Sequence, residues 1–198
     1  VVESGYRTLS FTTKYEPFSL PYAEGFEDGI GVWTLVNCSA STGVTSISHE
    51  GNKSFVFYYN SNPPQYLISP EFEGAAPMIV SFWYRIYSSN NPETFQVGYS
   101  TTTNDVAAFT WEAEVTATNA SDWLQYEAEF PAGTKFVAVR YNSNNMYYLF
   151  LDDFSFEVNN GFAKQDSAIK VISENSFYNG DYFSVELSDA NGNPWLIR

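Results

Sequence analysis

One cysteine and one histidine are all that 198 residues provide. A lone Cys38 cannot close an intrachain disulfide, so cysteine usage leaves the redox compartment open. In Asn37-Cys38-Ser39, with no histidine near it in sequence, it reads as a small packed residue rather than a nucleophile. His49 by itself cannot build a histidine metal cluster. A Ser-His-Asp triad would have to use it, yet it stands in a polar turn and no Gly-x-Ser-x-Gly elbow occurs. Phosphate-binding glycine loops and dinucleotide fingerprints are missing too. Carboxylates are numerous enough for glycoside hydrolysis, but nothing in their order selects a pair. The chain is therefore expected not to be an enzyme.

Basic residues are scarce. Nine Lys and Arg stand against 23 Asp and Glu, for a formal net charge of -14. Phosphate backbones and anionic bilayer surfaces both demand concentrated positive charge, so nucleic-acid and membrane-surface partners are not expected. No run of 18 apolar residues exists, which excludes a transmembrane helix and direct membrane insertion by one. The opening Val1-Val2-Glu3-Ser4 has neither a basic, apolar leader nor a Met. It reads as an excerpt of a longer protein or as a mature form. The negative charge fits solubility outside the cell; its sharper reading is a cation site, since clustered carboxylates are favoured around Ca²⁺.

Aromatic residues are abundant. Phe and Tyr dominate an aromatic fraction of 19% within 44% hydrophobic residues, enough to fill a sizeable core and suited to pleated surfaces. Helical periodicity is nearly absent, and short alternating runs are separated by Asn, Ser, Gly and Pro clusters. The pattern predicts an all-β sandwich with strands at residues 9–13, 32–36, 54–59, 65–68, 78–87, 95–100, 124–130, 136–141 and 147–158. Along 78–87, Met78, Val80, Phe82, Tyr84 and Ile86 form the core side. Ile79, Ser81, Trp83, Arg85 and Tyr87 form the outer side. Loops such as Asn60-Ser61-Asn62-Pro63-Pro64 and Ser88-Ser89-Asn90-Asn91-Pro92 carry turn residues. A boundary is expected at Asn159-Asn160-Gly161, which divides the chain into an N-terminal segment 1–19, a main domain 20–158 and a C-terminal β segment 159–198. Strands at 168–172 and 182–187 and a turn at 189–194 are expected in that last segment.

Several motifs occur in an order that resembles one family. Phe26-Glu27-Asp28-Gly29 precedes Trp33-Thr34. Leu67-Ile68-Ser69-Pro70, Ser81-Phe82-Trp83, Ser100-Thr101-Thr102-Thr103-Asn104-Asp105, Trp123-Leu124-Gln125-Tyr126 and Leu151-Asp152-Asp153-Phe154 follow. Together they resemble the cleaved-adhesin or choice-of-anchor modules, relatives of MAM domains. The resemblance implies a jelly-roll sandwich of two antiparallel sheets in a microbial surface protein, extracellular or secreted. It implies an adhesion module whose partner is a glycan or a surface protein of another cell, set among neighbouring modules of the same long chain. A spacer without a ligand of its own, or an accessory domain of a secreted hydrolase or protease, stands as the alternative. Tyr178–Val185 and the following Leu187–Pro194 resemble the start of an Ig-like repeat, and Ser10–Thr13 echo the last strand of a fibronectin-type module.

The family resemblance also implies a structural Ca²⁺ between the first and last strands. Glu27 and the Asp152-Asp153 pair match those positions, with the loop His49–Lys53, Asn52 within it, supplying further oxygens. In an extended strand the two aspartates point to opposite faces. Asp153 shares the face of Leu149 and Leu151, so it is expected to be the buried ligand. For ligand binding, Trp83, Arg85 and Tyr87 share the outer face, and Arg140 lies on a strand expected to neighbour it. Trp111 and Tyr148 are weaker additions. Aromatic planes stack on sugar rings and Arg donates to hydroxyls or carboxylates. Burial of this face under residues 1–17 or 162–198 would favour the spacer.

Overall fold

The computed structural model describes residues 16–144 and 146–159, together with the backbone of Leu187–Ser188 and Pro194–Trp195. The strands expected at 9–13 and 168–172, nearly all of that at 182–187, and the segment 1–15 therefore lie outside the described residues. The chain divides into two compact units, residues 1–160 and 161–198. In the second, a two-residue pair joins Leu187–Ser188 to Pro194–Trp195, antiparallel, on either side of the expected turn.

The first unit is a jelly-roll sandwich. Its strands are β1 (Tyr22–Glu24), β2 (Thr34–Val36), β3 (Gly43–Thr45), β4 (Ser54–Tyr58), β5 (Gln65–Ile68), β6 (Met78–Ile86), β7 (Glu93–Ser100), β8 (Thr110–Trp111), β9 (Val115–Ala117), β10 (Leu124–Phe130), β11 (Phe136–Tyr141) and β12 (Tyr148–Val158). One sheet has the order β10-β6-β12-β4-β3, with β1 also on β12. The other has the order β2-β5-β11-β7-β8, with β9 also on β7. Pairing within both sheets is antiparallel. From β5 onward the long strands β5, β6, β7, β10, β11 and β12 go alternately to one sheet and the other. That alternation wraps the chain around a single core.

Alternation along each long strand builds that core. On β6 the residues Met78, Val80, Phe82 and Ile86 are wholly buried, while Ile79, Ser81, Trp83 and Arg85 between them keep partial exposure. Aromatics fill the space between the sheets. Phe82 stacks on Phe154 at 4.6 Å, Phe57 stacks on Tyr141 at 5.2 Å, and Phe26 meets Trp33, Phe55 and Phe154. Each such ring contributes on the order of 2–3 kcal/mol by leaving water.

The outer face of the second sheet has its own small cluster, in which Ile68, Phe136 and Ala138 are covered by Phe109 and Trp111. A 3₁₀ turn at Val106–Ala108, capped by the Asp105 carboxylate, delivers this cover. Gly98 lies directly beneath it. A Cβ there would stand 2.6 Å from both the Thr110 carbonyl oxygen and the Trp111 ring. Gly98→Ala is therefore expected to lift β8 and lower stability by about 2 kcal/mol, seen as a lower Tm together with a red-shifted tryptophan emission.

β12 changes parity in mid-strand. Asp152 stands opposite Trp83 and Ser155 opposite Ser81, so Asp153 and Phe154 together oppose one residue of β6. This β-bulge puts Asp153 at φ 47. Before it Leu149 and Leu151 face the core, and after it Phe154 and Phe156 do. The bulge lies where β12 exchanges one neighbour for another, pairing with β4 through Leu151 and with β1 from Phe154.

Candidate functional site

Residues 46–53 connect β3 to β4 and fold over this exchange point. Asp152, on the bulge, is fully buried; its Oδ2 accepts the His49 backbone N–H at 2.7 Å and its Oδ1 accepts the Asp153 N–H at 2.9 Å. Burial holds its carboxyl up to about 6, despite those hydrogen bonds. Asp153 turns outward instead. Its Oδ2 lies 2.7 Å from His49 Nδ1, with both side chains partly exposed. The expectation that Asp153 shares the buried face of Leu149 and Leu151 is thus corrected. The extra residue of the bulge turns Asp153 away from the core side, while Asp152, on the outer side opposite Trp83, is buried there beneath residues 46–53.

Glu27 grips the same loop from its other end. Its Oε1 accepts the backbone N–H of Asn52 at 2.8 Å and of Lys53 at 2.9 Å, and Lys53 Nζ donates to the Glu27 carbonyl. These backbone donors hold the Glu27 carboxyl below its ordinary range. Asn52 itself is exposed and takes part through its N–H. Among the described residues no three His, Cys, Asp or Glu side chains converge as a metal cluster. Glu27 and Asp152 are hard oxygen donors of the kind Ca²⁺ takes. With two carboxylates, the remaining oxygens of a six- to eight-fold shell would have to come from loop carbonyls and water.

His49 lies flat on Trp83, ring centroids 4.2 Å apart and planes within 13°, with Trp123 edge-on at 5.8 Å. One face of Trp83 is thus covered by the 46–53 loop. Trp83 also borders a cavity of about 360 Å³ shared with Glu24, Gly25, Glu50 and Asp153. Trp83, Arg85 and Tyr87 do share the outer face of the first sheet. Arg140 does not join them, which corrects its expected place. It belongs to β11 in the opposite sheet, where its Nε donates to Asn142 Oδ1 at 2.8 Å and its guanidinium lies 5.4 Å from the Trp111 centroid. The alternation of long strands between sheets puts β11 and β6 on different layers.

Strand order reveals a feature that the linear pattern hides. Tyr58 of β4 is the register partner of Tyr148 of β12, and the N–H of Tyr87, just past β6, bonds to the Tyr148 carbonyl at 3.1 Å. Their chain neighbours Phe57, Leu149 and Ile86 all face the core, so the three tyrosines form an outward row across three adjacent strands. Ring centroids are 4.2 Å apart for Tyr58–Tyr148 and 5.2 Å for Tyr87–Tyr148, with Tyr147 flanking Tyr87 at 5.5 Å. Tyr87 is 53% exposed and Tyr59, beside Tyr58, 50%. At the Tyr58 end a depression of about 240 Å³ is lined by Ser39, Ser41, Tyr59, Asn60 and Ser61, hydroxyls and an amide without charge. The next row inward is Val56, Phe150 and Arg85.

The loop that carries Tyr147 is anchored from below. Glu93 is fully buried and accepts the Tyr141 hydroxyl at 2.6 Å and the Tyr147 N–H at 2.7 Å, and burial raises its carboxyl above the usual range. Glu93→Ala leaves both donors without an acceptor. A loss of about 2–4 kcal/mol is expected, read as a Tm drop of about 10 °C.

A profile of the Cleaved Adhesin Domain matches residues 10–156. Lys-gingipain of Porphyromonas gingivalis is 26% identical over 211 residues, covering 88% of this chain and 12% of that protein. Hemagglutinin A of the same species is 29% identical over 152 residues, covering 65% of this chain and 7% of that protein. The chain therefore spans a small part of these long relatives. Among solved structures, the K1 cleaved adhesin domain of Lys-gingipain superposes with a TM-score of 0.63 at 25% identity, over 70% of this chain and 98% of that one. A galactotriose complex of the carbohydrate-binding module TmCBM61 shares the fold, with a TM-score of 0.54 at 19% identity over 68% and 94%. With the sandwich, the family profile over most of its length and the cleaved adhesin superposition in agreement, this chain belongs to the cleaved adhesin domain family.

Proposed function

We propose that this adhesin-family domain is a non-catalytic module of a longer extracellular surface protein, and that it binds a glycan on the outer face of its first sheet. The observation that carries the reading is the tyrosine row. Three rings are aligned on the outer side of adjacent strands, Tyr87 exposed and Tyr58 and Tyr148 partly so, beside a depression lined by hydroxyls and an amide. Sugar rings present apolar faces for such stacking and equatorial hydroxyls for such partners. A fold shared with a galactotriose-binding module supports the architecture as one able to carry such a site. No helix among the described residues is long and apolar enough to cross a membrane.

A structural Ca²⁺ is part of the reading, held by Glu27 and Asp152 with carbonyls of residues 46–53. Supporting it is the state of Asp152, a fully buried carboxylate with no cationic side chain beside it among the described residues. A cation would offset the cost of that burial and tie β12 to the segment after β1. The test of the binding reading is a glycan array probed with the purified domain in calcium and again in chelator. Specific hits support it; a blank array from folded protein moves the assignment to a spacer or a protein-binding module.

A further inference from the structure

Among the described residues there are four Lys and Arg side chains: Lys53, Arg85, Lys135 and Arg140. Three of them have polar partners. Lys53 donates to the Glu27 carbonyl, Lys135 pairs with Glu71 at 3.2 Å, and Arg140 bonds Asn142 and lies over Trp111. Arg85 has neither an ion pair nor a hydrogen bond among the described residues. Its Nε is buried with no acceptor. In a chain with 23 acidic residues against nine basic ones, an unpaired guanidinium runs against the composition. Its position gives the reason. Arg85 points to the outer face, two residues before Tyr87 on the same side and in register with Phe150, two residues after Tyr148. The charge is therefore set directly beside the tyrosine row.

From this we infer that the glycan taken by the tyrosine row is acidic, and that Arg85 receives its carboxylate. This deepens the binding reading above and rests on it. A guanidinium presents a planar fork that matches a carboxylate with two parallel N–H···O bonds. The rings supply stacking for the sugar body while Arg85 fixes the charged substituent. Against a background of -14, a neutral sugar needs no such cation, and an acidic one is repelled without it.

The test is calorimetric titration of the folded domain with two matched pairs: sialyllactose against lactose, and trigalacturonic acid against galactotriose. The expected result is that the acidic member of one pair binds about tenfold or more tightly than its neutral partner, a preference that weakens with salt. The pair showing it distinguishes a sialate from a uronate ligand. Arg85→Gln is expected to bring the two members of that pair to equal affinity by weakening the acidic one, and Arg85→Lys to retain part of the preference. Equal affinities in wild type, or a preference that survives in Arg85→Gln, overturn the inference while leaving the tyrosine reading intact. Failure of all four sugars to bind overturns the inference, and a blank glycan array from folded protein overturns the tyrosine reading as well.

Discussion

Calcium added to the chelated domain is expected to raise its Tm by about 8 °C, and Asp152→Asn to abolish that rise. A ligand present at a hundred times its Kd stabilises by about 3 kcal/mol, which for a domain of this size is several degrees. The variant makes the test specific. Without a cation, ionised Asp152 is a liability. Its folded carboxyl takes a proton near 6 against an ordinary 3.8, so its contribution to stability is complete below about 4 and lost as pH rises through 6. At neutral pH that loss is about 3 kcal/mol, from which the acceptor given up in the amide subtracts. In chelator Asp152→Asn is accordingly expected to be at least as stable as wild type, and in calcium less so. Equal melting curves with and without calcium in wild type would rule out a structural ion.

The second large effect concerns the tyrosine row. Tyr148 is its centre, touching Tyr58 on one side and Tyr87 on the other. Tyr148→Ala removes the middle ring and releases both neighbours. A central aromatic anchor of this kind contributes 2 kcal/mol or more, so glycan affinity is expected to fall by about 30-fold or more. Tyr148→Phe, which keeps the ring, is expected to stay within about threefold of wild type. Because Tyr148 keeps partial exposure while the core residues Leu149 and Leu151 are untouched, thermal stability should change little in either variant. A titration that finds Tyr148→Ala binding as wild type does would displace the site from this row.

How far the sequence foretold these features depended on scale. β5, β10 and β11 fall where alternation places them, because each is long enough to show its two-residue period. β1, β3, β8 and β9 have two or three residues and are invisible to periodicity; pairing with longer strands defines them. Asp153 does not take the core side that alternation gives it, because a bulge adds one residue and nothing in Leu151-Asp152-Asp153-Phe154 announces it; Asp152 keeps the outer side opposite Trp83 and is buried there by the 46–53 loop. Arg140 departs from its expected place for a different reason. Alternation tells which side of a strand a residue takes, not which strand lies beside it, and the winding of the jelly roll sends β11 to the other layer. The same limit hid the tyrosine row. Tyr58, Tyr87 and Tyr148 are scattered along the chain, and only the order β6-β12-β4 brings them side by side. Trp83, Arg85 and Tyr87 were legible as one face because they lie on one strand. The loop that lays His49 on Trp83 was not, since its conformation is set by Asp152 and Glu27 from distant parts of the chain.

On the proposed reading, the tyrosine row on the first sheet is where this adhesin domain holds its ligand. The most direct measurement is a glycan array probed in parallel with wild type, Tyr148→Ala and Arg140→Ala, the last altering the opposite sheet. Specific hits are expected for wild type, with their retention in Arg140→Ala and their loss in Tyr148→Ala. Hits that persist in Tyr148→Ala and vanish in Arg140→Ala would contradict it and place binding on the other face of the sandwich.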